Sequence, residues 1–232
     1  MIPLNSQEKE RVARLIDQTM LDPAAKRFDY EEFIKRNAFA GFHAIFTPPI
    51  YVEHTVKTLE HSKTLSGAVV GFPMGWETRK EKLFQMNQAL SIGADEIDFV
   101  INISKLRSGE YDYISDELNS LREEAWKFKN KFGKKIILKC IIECCLLEEH
   151  QKMKAVELLI EEWIPFVKTS TGKNKSGATV GDVRFLKETG RGLIEVKASG
   201  GIRTLQELAS MVEAGATRIG TSAGLAILDE IK

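Results

Sequence analysis

Eight apolar runs of strand length recur along the chain, each followed by a charged stretch with helical spacing, and this alternation constrains the fold more than any other feature. The runs are Leu15 to Met20, Phe42 to Phe46, Gly67 to Gly71, Glu96 to Ile101, Lys135 to Ile142, Pro165 to Thr169, Leu193 to Ala198 and Thr217 to Gly220. They read as mostly continuous rather than alternating, the pattern of parallel strands covered on both faces. Between them, Phe28 to Phe39, Tyr51 to Ser62, Thr78 to Ile92, Tyr111 to Phe132, Glu148 to Trp163, Gly181 to Lys187 and Thr204 to Ala214 repeat apolar residues every three or four positions. Gly41, Gly93, Gly133 and Gly215 follow helix ends, where a left-handed cap suits the return to a strand. Eight β-then-α units predict a TIM (β/α)8 barrel in a single domain over residues 1–232, with a short extra helix from Asn5 to Arg14 closing its bottom.

Composition narrows the function classes. Lysine plus arginine (33) balance aspartate plus glutamate (33), so no overall field favours nucleic acid or an anionic membrane, and any basic site must be local. The first residues lack the apolar core of a signal peptide, and no apolar run reaches the roughly 20 residues of a membrane span, so a soluble, cytoplasmic protein is expected. Cys140, Cys144 and Cys145 suit neither a disulfide framework nor paired zinc ligands; a buried apolar role is expected for the adjacent pair. His43, His54, His61 and His150 do not converge on a metal spacing, and Trp76, Trp126 and Trp163 read as packing or interface residues.

Barrel chemistry sits at the C-terminal ends of the strands and in the loops that follow. That filter passes Asp17 and Thr19 on the first strand, Asp98 and Asn102 on the fourth, Lys139 and Glu143 on the fifth, Lys168 on the sixth and Lys197 on the seventh. Lysines inside a sheet are costly unless they shift their pKa or find a carboxylate. Lys168 and Lys197 fall on neighbouring strands, where a second positive charge favours the neutral, nucleophilic amine and so an imine-forming lysine. The competing reading is that one or both simply pair with Asp98, Glu143 or Asp17. Gly172-Lys173, Ser199-Gly200-Gly201 and the stretch from Gly220 to Gly224 follow strands six, seven and eight, as in a barrel phosphate site built from backbone N–H groups and hydroxyls.

At these residues the chain resembles the deoxyribose-phosphate aldolase family, class I aldolases that form a Schiff base. The resemblance runs nearly end to end. It includes the stretch from Leu15 to Leu21, Gly71-Phe72-Pro73-Met74-Gly75, Gly93 to Asn102, Val167 to Lys173, Gly177-Ala178-Thr179, Val196 to Thr204 and Gly215 to Ser222. It implies reversible cleavage of 2-deoxyribose 5-phosphate to acetaldehyde and glyceraldehyde 3-phosphate, with no metal or organic cofactor. By position, Lys168 matches the imine-forming lysine, Lys197 the lysine that perturbs it, and Asp98 the carboxylate of the proton relay. The phosphate contacts match Gly172, Lys173, Gly200, Gly201 and Ser222, and Asp17, Thr19, Lys139 and Thr169 complete the expected substrate-binding set.

The chain departs from that pattern at several points. Gln18 stands where many members carry His, Asp22 where a lysine is frequent, and Phe46-Thr47-Pro48-Pro49 where Cys-Val-Asn-Pro is common. Phe46 is expected to remove a thiol and add bulk near the barrel mouth. The chain ends at Lys232 without the C-terminal tyrosine tail of some members, which leaves enamine protonation to the relay. Expected partners are a phosphosugar and aldehydes, with a homodimer or higher homo-oligomer as the assembly. The alternatives are a related Schiff-base aldolase of altered aldehyde specificity, or a phosphosugar isomerase, epimerase or binding protein on the same barrel.

Overall fold

A computed structural model describes residues 4–231. Eight strands, β1 (Ile16–Thr19), β2 (Ala44–Thr47), β3 (Leu65–Val70), β4 (Glu96–Val100), β5 (Ile137–Ile141), β6 (Phe166–Lys168), β7 (Glu195–Ser199) and β8 (Arg218–Thr221), pair in sequence order and close when β8 meets β1. Every pairing is parallel, from Asp17 opposite Ala44 round to Asp17 opposite Gly220. This is the expected (β/α)8 barrel.

The helices are α1 (Leu4–Ala13), α2 (Arg27–Asn37), α3 (Val52–Thr58), α4 (Arg79–Ile92), α5 (Ile103–Arg107), α6 (Tyr111–Trp126), α7 (Glu149–Glu161), α8 (Val180–Gly190), α9 (Leu205–Glu213) and α10 (Gly224–Asp229). Their starts follow the sequence closely: Thr78 and Thr204 each accept a hydrogen bond from the backbone three residues on, with Glu81 and Glu207 closing the reciprocal half of the cap. The expected helix to Phe132 instead stops at Trp126. Asn130 is the reason, since its side-chain oxygen accepts from the backbone N–H of Phe132 and Lys134 and folds the segment into a turn. An unforeseen helix, α5, opens on Asn102, whose side chain accepts from Lys105 N at 3.1 Å.

The strands also correct the expectation of continuous apolar runs. Outward residues such as Ile45, Ile97, Phe99, Val167, Val196 and Ile219 are buried under the helices. Their neighbours Asp17, Glu96, Asp98, Lys139, Lys168, Lys197 and Arg218 face the barrel axis. Ion pairs between strands that do not touch prove the direction: Asp17 on β1 lies 3.6 Å from Lys139 on β5, and Glu96 on β4 lies 3.3 Å from Arg218 on β8. The apolar core is therefore concentrated between sheet and helices, while the barrel interior is largely charged.

A lysine-carboxylate site in the barrel mouth

The interior charges alternate in sign. Asp98 Oδ2 receives Lys168 Nζ at 2.7 Å and Lys197 Nζ at 2.6 Å, and Asp98 Oδ1 receives Lys139 Nζ at 3.2 Å. Lys197 Nζ also lies 2.5 Å from Asp17 Oδ2. Deeper, Lys139 donates to Glu96 at 2.6 Å, Arg218 bridges Asp17 and Glu96, and His43 Nε2 lies 3.0 Å from Glu96. β6 and β7 pair with Lys168 directly opposite Lys197, which is why both amines reach one carboxylate oxygen.

Burial and neighbours set the proton affinities of the interior. Burial pushes the Lys197 ammonium down to about 8; Asp17 and Asp98 oppose the change, and the charges of Lys168 and Lys139 add to it. Burial alone would raise the Asp98 carboxyl, but Lys168, Lys197 and Lys139 overcome it and hold the group well below the usual carboxylate range. Glu96 is likewise lowered, to about 2, because Lys139 and the His43 hydrogen bond outweigh its burial. Lys139 moves the opposite way, since Glu96, Asp98 and Asp17 together outweigh its desolvation and raise its pKa. The sequence reading placed Lys197 as a fixed charge acting on Lys168; the structure makes Lys197 the group that exchanges a proton near neutral pH.

Above this network opens a cavity of about 570 Å³. Lys168, at 4% exposure, reaches its wall, whereas Lys197, Lys139 and Asp98 are fully buried beneath. Thr19, Gly172, Lys173, Gly200, Gly201 and Ser222 line it, so six of the expected substrate contacts converge there. Asp17, Lys139 and Thr169 do not reach it. Asp17 and Lys139 are counterions of the interior, and the Thr169 hydroxyl accepts from Ser199 N at 3.1 Å and is turned away into the sheet.

Two devices shape the rim. At Gly200 (φ +92°) the loop after β7 presses on the loop after β6: a Cβ there would lie 2.9 Å from Gly177 Cα and 3.2 Å from Gly172 Cα. Glu143, in the left-handed region at φ 56°, turns back from the end of β5 and holds the loop carrying Gly172 and Lys173. Its carboxylate accepts from Thr171 N, the Thr171 hydroxyl and Asn174 Nδ2.

Phe46 corrects another expectation. It does not stand in the mouth but lies fully buried in the barrel, with its ring centroid 4.0 Å from Lys197 Nζ and 4.8 Å from Lys139 Nζ. Room for the ring comes from Gly67, where any Cβ would sit 2.4 Å from the ring edge. Sequence reasoning also passed over Glu96 and Arg218 as members of the charged interior, and Arg203 on the cavity wall. A charge at every second strand position was the available signal for the first two. Burial pushes the Cys140 and Cys144 thiols up, as suits packed side chains.

A (β/α)8 barrel with buried amines and carboxylates below a glycine-rich, cationic mouth is the form of a barrel enzyme acting on small anionic substrates. Residues 11–230 match the model of the DeoC/LacD family aldolases, and the chain belongs to that family. The deoxyribose-phosphate aldolase of Thermoanaerobacter sp. (strain X514) is 39% identical over 219 residues, covering 94% of this chain and 96% of that one. Among solved structures, an aldolase designated QR15 superposes with a TM-score of 0.86 at 36% identity, covering 99% of this chain and 96% of its own. A deoxyribose phosphate aldolase from Aeropyrum pernix, described as a unique tetramer, superposes with a TM-score of 0.82 at 27% identity and covers 97% and 94%.

Proposed function

We propose that this chain reversibly cleaves 2-deoxy-D-ribose 5-phosphate to acetaldehyde and D-glyceraldehyde 3-phosphate through an imine on Lys168. The observation that carries the reading is that Lys168 is the strand lysine on the cavity wall, hydrogen-bonded at 2.7 Å to a carboxylate it shares with Lys197. An ammonium cannot attack a carbonyl. With a pKa of about 8, Lys197 is partly neutral at working pH and can take the Lys168 proton across Asp98 Oδ2. The freed Lys168 amine adds to C1 of the open-chain sugar, and loss of water leaves a protonated imine.

Cleavage falls at C2–C3, because the fragment left on the lysine carries only two carbons. The C3 hydroxyl gives its proton to the relay, C3 becomes the aldehyde of glyceraldehyde 3-phosphate, and the C2–C3 electron pair moves into an enamine on Lys168. The relay returns a proton to C2, and water hydrolyses the imine to acetaldehyde and free Lys168. Lys173, Gly172, Gly200, Gly201 and Ser222 hold the phosphate, with Arg203 as a further cation on the same wall, and fix the distance from phosphate to C1. Thr19 meets the sugar between these ends. Asp17, Lys139 and Thr169 act from beneath by holding the amines and the strand ends.

The reading extends to a single cytoplasmic domain acting as a homodimer or higher homo-oligomer, in keeping with the tetramer described for the Aeropyrum pernix relative. Among the described residues, no helix is long and apolar enough to cross a membrane. Borohydride reduction in the presence of 2-deoxyribose 5-phosphate tests the mechanism. The expected result is a two-carbon adduct on the peptide carrying Lys168 and loss of turnover in Lys168→Ala. An adduct elsewhere, or full activity in that variant, would refute it.

A further inference from the structure

A second cavity, also of about 570 Å³, lies over β2 and β3 and has no part in the phosphate chemistry. Its walls include Leu21, Tyr30, Pro48, Val69, Phe72 and Pro73. Leu21 and Lys173 belong to both cavities, so the two adjoin along the loops after β1 and β6. Its floor approaches the reaction centre, because Val69 pairs in register with Asp98, the carboxylate bound to Lys168. Leu21, Val69 and Phe72 also pack against the cluster containing Phe46, which therefore supports this cavity from below.

The charge pattern defines the occupant. Glu77 and Gln85 gather at Gly71, where Gln85 Oε1 accepts from Gly71 N at 2.8 Å. Lys173 is the only cationic side chain on the wall and a carboxylate faces the same space, so a phosphate finds no net attraction. An uncharged hydrocarbon chain, by contrast, gains from every apolar wall it covers.

We propose that this cavity is an apolar acceptor subsite, through which the enzyme joins acetaldehyde to unphosphorylated aldehydes with an aliphatic or aromatic body. The inference rests on the aldolase reading above, run in the synthetic direction. The acetaldehyde enamine on Lys168 forms a bond from its C2 to the acceptor carbonyl carbon. The acceptor oxygen takes a proton from Lys197 Nζ, and water hydrolyses the resulting imine to release a 3-hydroxyaldehyde and free Lys168. The acceptor's tail lies over Val69 and Phe72, where glyceraldehyde 3-phosphate would instead extend toward Gly200 and Ser222.

The test measures addition of acetaldehyde to hexanal and, in parallel, cleavage of 2-deoxyribose 5-phosphate by the same preparation. Wild-type enzyme is expected to form 3-hydroxyoctanal, and hexanal is expected to have a higher kcat/KM than propanal. In Val69→Phe, which fills the floor, the ratio of hexanal addition to phosphosugar cleavage should fall at least tenfold. In Val69→Ala, which also guards against a misfolded Phe variant, the optimum should move to a longer aldehyde. Phosphosugar cleavage without hexanal addition, or ratios unchanged in a folded variant, would overturn the subsite. Loss of the Lys168 adduct and of cleavage altogether would instead overturn the aldolase reading.

Discussion

Replacing Phe46 with leucine should make the enzyme work at lower pH while making it less stable. The ring centroid lies 4.0 Å from Lys197 Nζ, inside the range of a cation–π contact, and both groups are fully buried. That contact favours the charged amine and opposes the burial that has brought Lys197 down to about 8. Taking about 1.4 kcal/mol for the lost contact, between the exposed and desolvated limits, the Lys197 pKa should drop by about one further unit. Neutral Lys197 is the form that accepts the Lys168 proton, so kcat/KM should rise with pH along a limb at that pKa. At pH 6.5, activity relative to its own plateau should climb from about one-thirtieth in the wild type to about one-quarter in Phe46→Leu, following the same one-unit shift. Truncating the ring above Gly67 should lower stability by about 1.5 kcal/mol. Initial rates of phosphosugar cleavage from pH 5.5 to 9.5, with thermal melts at each pH, provide the assay. An unmoved or alkaline-shifted limb in a folded variant would refute the coupling between ring and amine.

Other expectations follow from the same geometry. Because the folded Lys197 pKa is depressed from its ordinary 10.5 to about 8, the unfolded chain binds the extra proton between those values, so stability should rise with pH across that window. The gain should be about 3 kcal/mol, absent in Lys197→Met and readable from urea unfolding at pH 7.5 and 10.5. Lys82 and Glu117 form a fully buried pair at 2.9 Å between α4 and α6; Lys82→Met should cost about 3 to 5 kcal/mol, and Lys82→Met with Glu117→Leu should recover most of it. Glu143→Ala should free the loop that carries Lys173, raising KM for the phosphosugar about tenfold while leaving its kcat and the addition of unphosphorylated aldehydes within about twofold.

The alternation of runs sufficed for the barrel because each unit signals locally: a strand, a capped helix start, a glycine at the return. The ends were less legible where one side chain decides them, as Asn130 does by stopping α6. Lys168, Lys197 and Asp98 were visible because a charge in a buried strand is expensive enough to demand a reason. Glu96 and Arg218 answer to the same logic, yet their partners lie on strands far apart in the chain, and only closure of the barrel brings them within 3.3 Å. Phe46 was misplaced for a related reason. Whether a strand residue points to the axis, the helices or the mouth depends on register and stagger, which a single run does not encode. Asp17, Lys139 and Thr169 were drawn into the substrate set by position at strand ends, although depth along the strand separates a wall residue from a counterion.

The direct pairing of Lys168 with Lys197 also bears on how the barrel reaches its correct closure. Side chains alternate along a strand, so a slip of one residue between β6 and β7 would turn one amine toward the helices, into the apolar layer around Val167 and Val196. Asp98 would then lose a cation while that cation lost its carboxylate, and each orphaned charge would cost several kcal/mol in a dry environment. A barrel lined only with valine and isoleucine would tolerate such a slip far more cheaply. The charges that serve the reaction thus also penalise misregistered closure, so the sites of chemistry are at the same time the proofreading marks of the fold.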